Sequence, residues 1–221
     1  LAHGRDKHGL AVIAEYKRAS PSKGVINLKL TPEDVAEAYG LGGASALSVL
    51  TEEQYFQGDL EYLSRMAGPG LPLLRKDFLL HPLQVAQTLA TPASALLVIV
   101  RMFDSDKDLA AMISASLDAG LEPVVEIFAF NEAERAQKAG ARVIQVNNRD
   151  LDTLDVDLTV SRELIRAKRN DELWISASGV SSPKDLDLIA NLGFDAALVG
   201  TWLMAGDDPK GALQGLMRKE S

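Results

Sequence analysis

The chain of 221 residues contains no cysteine, which removes disulfides and thiolate chemistry from consideration. Aromatic residues make up only 5%. Histidine is scarce as well: His3, His8 and His81 are the three present, and they lack ligand spacing, so no metal is expected. Nothing demands an organic cofactor, and none is expected. A basic excess is also missing, since 23 Lys and Arg stand against 31 Asp and Glu for a formal charge of −8. Such a balance does not neutralise a phosphate backbone, so nucleic acid is not an expected partner. A small anionic substrate remains open, because it needs only a local positive pocket. Residues 1–8 carry charge and lack the apolar core of a signal peptide. The longest strongly apolar run, 95–100, is far shorter than the ~20 residues that cross a bilayer. These absences predict a soluble, cytoplasmic protein with no membrane partner; a monomer or weak homo-oligomer is expected. No linker or low-complexity stretch interrupts the chain, so one domain over residues 1–221 is expected.

What is present is a repeat. Short β-branched and Leu-rich runs fall at 11–17, 46–51, 73–78, 95–100, 123–128, 143–148, 174–179 and 196–200. Their spacing is that of a strand, a helix and two loops. The stretches between them carry helix punctuation. Thr31-Pro32-Glu33-Asp34 and Ser182-Pro183-Lys184-Asp185 are caps with proline at the first helical position. Asn131 reads as a third cap, with Glu134 at the third helical position. Gly120, Gly140 and Gly193 follow helical patterns where a left-handed residue ends a helix. Near-continuously apolar strands alternating with amphipathic helices imply a parallel sheet covered by helices. Eight repeats predict an α/β fold of the closed (β/α)8 TIM-barrel type. An open doubly wound sheet is the competitor, but no Gly-x-Gly-x-x-Gly follows the first strand.

In a (β/α)8 barrel, chemistry sits at the C-terminal ends of the strands. Unusual polar residues gather there. The first run ends in Glu15 and Lys17, the third in Arg75-Lys76-Asp77, and the fifth holds Glu126 inside Val-Val-Glu-Ile. The sixth ends Asn147-Asn148-Arg149-Asp150, the seventh Ser176-Ala177-Ser178-Gly179 and the eighth Gly200-Thr201. Glu15 and Lys17 share the inward face with Ile13 by strand alternation. By itself this pair reads equally as a buried ion pair or as part of a site. Ser178-Gly179 and Gly200-Thr201 close the last two strands, where barrels often bind phosphate through backbone N–H groups.

The residues then resemble a known family. Glu15-Tyr16-Lys17-Arg18-Ala19-Ser20-Pro21-Ser22-Lys23-Gly24 looks like the signature of the indole-3-glycerol-phosphate synthase family. The likeness continues through Ser48-Val49-Leu50-Thr51-Glu52, Tyr55-Phe56-Gln57-Gly58, Leu74-Arg75-Lys76-Asp77-Phe78, Glu122-Pro123-Val124-Val125-Glu126 and Asn147-Asn148-Arg149-Asp150-Leu151. It covers nearly the whole chain in order. The resemblance implies a carboxy-lyase of tryptophan biosynthesis that closes 1-(2-carboxyphenylamino)-1-deoxyribulose 5-phosphate to indole-3-glycerol phosphate, with loss of CO2 and water. It implies Lys76 as general acid and Glu126 as its acid/base partner in dehydration. Glu15, Lys17 and Asn147 would orient substrate and stabilise developing charge, with Arg149 in support. Ser20, Ser178, Gly179, Gly200 and Thr201 would hold the phosphate region, with Lys17 reaching it. Phe56, Phe78, Leu97, Ile99, Leu151 and Leu154 would line the aromatic-ring pocket. A lysine serves as acid near neutrality where burial and neighbouring cations lower its pKa, which is the expectation for Lys76.

Three features depart from the family pattern. The seventh strand usually ends Glu-Ser-Gly, whereas here Ala177 precedes Ser178-Gly179. The N-terminal extension is expected to be shortened, and Trp202 is unusually bulky, which reads as a packing role. A related phosphosugar isomerase and a weakened or non-catalytic phosphate-binding form are the alternatives to the synthase.

Overall fold

A computed structural model describes residues 9–150 and 153–218. Eight parallel strands form a closed barrel: β1 Ala11–Tyr16, β2 Ala46–Leu50, β3 Leu73–Lys76, β4 Ala95–Ile99, β5 Glu122–Ile127, β6 Val143–Asn147, β7 Leu173–Ala177 and β8 Ala196–Val199. Each strand pairs with its successor, and β8 closes on β1 with Ala14 opposite Val199. The helices α1 Pro32–Gly42, α2 Glu61–Arg65, α3 Pro82–Leu89, α4 Asp106–Asp118, α5 Phe130–Lys138, α6 Thr159–Leu164, α7 Pro183–Leu192, α8 Thr201–Met204 and α9 Pro209–Leu216 follow in chain order. The expected TIM barrel is the observed one. Among the described residues no helix is long and apolar enough to cross a membrane.

Strand alternation divides the apolar residues into two cores. Ala11, Ile13, Leu97, Val124, Ile175 and Leu198 fill the barrel interior. Leu10, Val12, Ala14, Tyr16, Val98 and Trp174 face outward and pack beneath the helices. That is why the strands read as continuous apolar runs: both of their faces are buried. Each fully buried Leu, Ile or Val side chain contributes about 1.5–3 kcal/mol, so neither core is dispensable. The expected runs overshoot every barrel strand by one or two residues at the C-terminal end. Lys17, Thr51, Asp77 and Asn148 lie just past the last ladder positions of their strands, where the chain turns into the loops.

The helix signals hold with one exception. Thr31 accepts from the Asp34 backbone N–H at 3.2 Å, and Ser182 accepts from that of Asp185 at 3.3 Å. Gly120, Gly140 and Gly193 all take positive φ, as helix-ending residues do. Asn131, however, is not a cap. The α5 helix starts at Phe130 behind Ala129, and the Glu132 carboxylate accepts from the Phe128 N–H instead. A short antiparallel ribbon, pairing Ala19–Ser20 with Gly24–Val25, follows β1 and borders the C-terminal mouth of the barrel.

Candidate active site

A cavity of about 1050 Å³ opens at the C-terminal ends of the strands. Its floor and walls come from separate strands, because inward residues at the ladder ends converge there. Glu15, Lys17, Ser20, Lys76, Glu126, Asn147 and Arg149 all line it, as do Ser178, Gly179, Gly200 and Thr201. So do Phe56, Phe78, Leu97, Ile99 and Leu154, while Leu151 lies outside the described residues. The two rings, Phe56 and Phe78, sit 6.4 Å apart at a 55° tilt on one side of this cavity.

The charged centre joins three strands. Glu15 Oε1 pairs with Lys17 Nζ at 2.9 Å, and Glu15 Oε2 lies 3.6 Å from Lys76 Nζ. Lys76 Nζ is also 3.9 Å from Glu126 Oε2, so one ammonium bridges two carboxylates. Ser48 Oγ donates to Glu15 Oε2 at 3.2 Å from the neighbouring strand, where Ser48 stands in register with Glu15. Burial by itself pushes the Glu15 carboxyl up, but the Lys17 and Lys76 ammonium groups outweigh it and hold it below its ordinary value. For Lys76, burial pulls down, yet Glu15 and then Glu126 outweigh it and raise its pKa above that of an ordinary lysine. This corrects the expectation of a lowered value. No cation dominates around Lys76; two anions do, and they keep it loaded with its proton.

Glu126 is held from the next strand. Gln145 Nε2 donates to Glu126 Oε2, and Asn147 Nδ2 donates to Glu126 Oε1 at 3.2 Å. Asn147 Oδ1 in turn accepts from the Arg149 N–H at 3.0 Å and from Ser178 Oγ at 2.9 Å. The Arg149 guanidinium is tied to the Leu154 carbonyl at 2.7 Å. Among the described residues three non-glycine residues have positive φ, namely Gln57, Leu154 and Ser178, and the last two line the cavity. Beside Ser178, Gly179 also has positive φ, and a Cβ there would meet Val156 at 2.7 Å. At Gly200 a Cβ would stand 2.5 Å from Glu15 Oε1. A side chain at this position would have to displace the Glu15 carboxylate that packs on it.

Two members of the site escaped the sequence reading. Ser48 and Gln145 are inward-facing by the alternation of their strands, Gln145 two residues before Asn147. That parity was the available signal, but a lone Ser or Gln inside an apolar run has no chemical mark of its own. Arg75 is the opposite case. It sits next to Lys76 yet points outward, where it hydrogen-bonds Thr51, Gln84, Thr88, Asp77 and Gln87. Trp202 also differs from expectation, being 39% exposed and lining the cavity rather than packing in the core. Ala177 is buried on the inner face in register with Asn147, where a longer side chain would enter the cavity. Among the described residues no group of three or more His, Asp or Glu side chains is arranged to hold a metal.

Comparison with known proteins bears on this cavity. The sequence model of the family described as indole-3-glycerol phosphate synthase matches residues 1–216. The protein of that name from Aquifex aeolicus (strain VF5) is 42% identical over 212 residues, covering 95% of this chain and 82% of its own. The one from Carboxydothermus hydrogenoformans is 42% identical over 213 residues, covering 96% and 80%. In structure, the chain is similar to 3-hexulose-6-phosphate synthase from Salmonella typhimurium, with a TM-score of 0.74 at 14% identity over 94% of this chain and 97% of that one. At that identity the likeness speaks to the fold alone.

Proposed function

The chain belongs to the indole-3-glycerol phosphate synthase family, and from that premise we propose how its cavity performs the family's reaction. The protein is a carboxy-lyase of tryptophan biosynthesis. Its substrate, 1-(2-carboxyphenylamino)-1-deoxyribulose 5-phosphate, closes to indole-3-glycerol phosphate with release of CO2 and water. Ring closure places negative charge on the ketone oxygen as the aromatic carbon attacks, and that oxygen must receive a proton. Lys76 supplies it. Release of CO2 restores the aromatic ring. Dehydration then needs one proton removed and one delivered to the departing hydroxyl, and Glu126 takes part in that exchange.

The observation that carries this assignment is the placement of Lys76 Nζ between Glu15 and Glu126, at 3.6 and 3.9 Å. Both distances are long for a saturated ion pair, so the ammonium is charged but only loosely held. A substrate oxygen entering the cavity can take over its N–H groups without first breaking a short bond. Glu15, with Lys17 and Ser48 fixing its two oxygens, keeps Lys76 protonated and orients it. Asn147 holds Glu126 and contributes to substrate orientation with Lys17, and Arg149 supports the β6 end. Ser20, Ser178, Gly179, Gly200 and Thr201 take the phosphate, with Lys17 reaching toward it. Phe56, Phe78, Leu97, Ile99 and Leu154 form the apolar wall for the aromatic ring. No metal or organic cofactor is assigned a part. The partner is this small phosphorylated molecule, with nucleic acid and membrane playing no part. The charge of −8 accords with that reading, and we place the protein in the cytoplasm as a monomer or weak homo-oligomer.

The reading is tested by supplying the carboxyphenylamino substrate and following indole fluorescence under saturating conditions. Accumulation of indole product with stoichiometric release of CO2 is expected. Micromolar binding without turnover would overturn it and favour a phosphate-binding protein weakened at Ala177.

A further inference from the structure

Gln145 is fully buried in the barrel interior, level with Glu126 on the adjoining strand and with Ile175 on the other side. Its amide nitrogen donates to Glu126 Oε2. Its amide oxygen is, among the described residues, the buried side-chain polar atom that has no hydrogen-bond partner. A buried amide left half satisfied is a cost to folding, and a methionine of similar length would fill the same space without it. The neighbouring inward groups, Val124, Val143 and Ile175, are all apolar, so the barrel itself does not call for an amide there. The polar atom that Gln145 serves is the Glu126 carboxylate.

We infer that Gln145 is a positioning residue that holds Glu126 for proton transfer, and that its unpartnered oxygen is matched to the second protonation state of that carboxylate. The inference rests on the reading that Glu126 exchanges protons during dehydration. An amide is suited to such a neighbour because it carries a donor and an acceptor on one planar group. With Glu126 ionised, the Gln145 nitrogen faces it and donates, as the structure shows. With Glu126 protonated, a half-turn of the terminal amide presents Oε1 to the new O–H. A lysine or arginine at position 145 would serve the first state only, and an apolar residue neither. Asn147 constrains Glu126 Oε1 from the same strand, so the two amides grip one carboxylate oxygen each, and the Lys76 ammonium faces Glu126 Oε2 from β3 at 3.9 Å. Asn147 is committed elsewhere through its own oxygen, which accepts from Arg149 and Ser178. Gln145 is the amide whose oxygen is left for Glu126.

The test is Gln145→Met assayed beside Glu126→Gln, with kcat, KM and the pH dependence of kcat measured for each. Gln145→Met is expected to lower kcat by about tenfold or more with KM within about threefold, because the lost contact acts on the chemical step. The acid limb of its kcat profile is expected to move to higher pH, since the ionised carboxylate has lost a donor. Thermal stability should not fall, because the variant also removes an unpaired buried oxygen. A Gln145→Met enzyme with wild-type kcat and an unmoved acid limb overturns the inference, provided Glu126→Gln is inactive. If Glu126→Gln itself turns over normally, the role given to Glu126 fails and the inference falls with it. The two failures are thus distinguishable.

Discussion

Arg75 and Lys76 are consecutive cations on one strand, both taken largely out of water, and they have opposite fates. Arg75 points outward beneath α3 and makes five hydrogen bonds to four side chains and one carbonyl, one for each of its N–H groups. Lys76 points inward and approaches two carboxylates at 3.6 and 3.9 Å, with a cavity in front of it. The same contrast recurs on β6 and just beyond it. The outward Asn148 spends its amide on Ser176, Ala177 and Ser178 and accepts from the Ser161 N–H. The inward Gln145 keeps an oxygen with no partner. Polar groups between barrel and helices are saturated because an unmet donor there is only a cost. Polar groups on the inner face are left with capacity to spare, Lys76 toward the cavity and Gln145 toward Glu126.

The contrast breaks or sharpens with substitutions on either side. The largest effect is expected inside. Lys76→Met should lower kcat by about a thousandfold or more while substrate still binds, read by single-turnover fluorescence beside calorimetric titration. Normal turnover in that variant removes the proposed acid. Lys76 also contributes a pH signature. Its pKa is raised in the fold, so its contribution to stability is complete below the ordinary lysine value of 10.5 and is lost as pH rises through the raised value. The stability difference between wild type and Lys76→Met should therefore shrink in strong alkali.

On the outer side, Arg75→Leu should cost stability rather than chemistry. Removing one partner leaves Asp77, Thr88 and Gln84 short of a donor, at a cost of about 3 kcal/mol in urea unfolding. Turnover per folded molecule should stay within about twofold. A collapse of kcat without loss of stability would show that the outward shell participates in the reaction after all. The smallest and most informative change is Ala177→Glu. Ala177 stands opposite Asn147, and the resemblance drawn from the sequence implies a carboxylate at that position. If that group contributes about 1–3 kcal/mol to the transition state, restoring it raises kcat by roughly 5- to 150-fold. An unchanged rate would mean that the remaining inner-rim groups already suffice.

Much of this comparison was legible in the chain. The eight runs and their capped helices specify a barrel because each unit buries both strand faces and must stack on its neighbours. The polar residues at the ends of those runs marked the rim, and alternation places Glu15 and Lys17 on one face without any coordinates. Alternation also separates Arg75 from Lys76, although the motif reads as one block. The cap at Asn131 misled because Glu132, one residue on, satisfies the incoming backbone instead. Trp202 misled because bulk is no guide to burial on a short helix that edges a cavity. The Lys76 shift misled because its sign depends on which charges lie within a few ångströms, and those come from β1 and β5.

The sequence by itself determined the barrel, the end of it where the polar residues gather, and the family. Those follow from periodicity and from motifs, which are local properties of a chain. Only the tertiary structure decided the electrostatics and the unpaired groups: a Lys76 held between two carboxylates, a Gly200 with the Glu15 carboxylate packed on it, and a Gln145 level with Glu126. These depend on the register and closure of strands far apart in sequence. A shift of one residue in any pairing would turn each of those side chains to the other face.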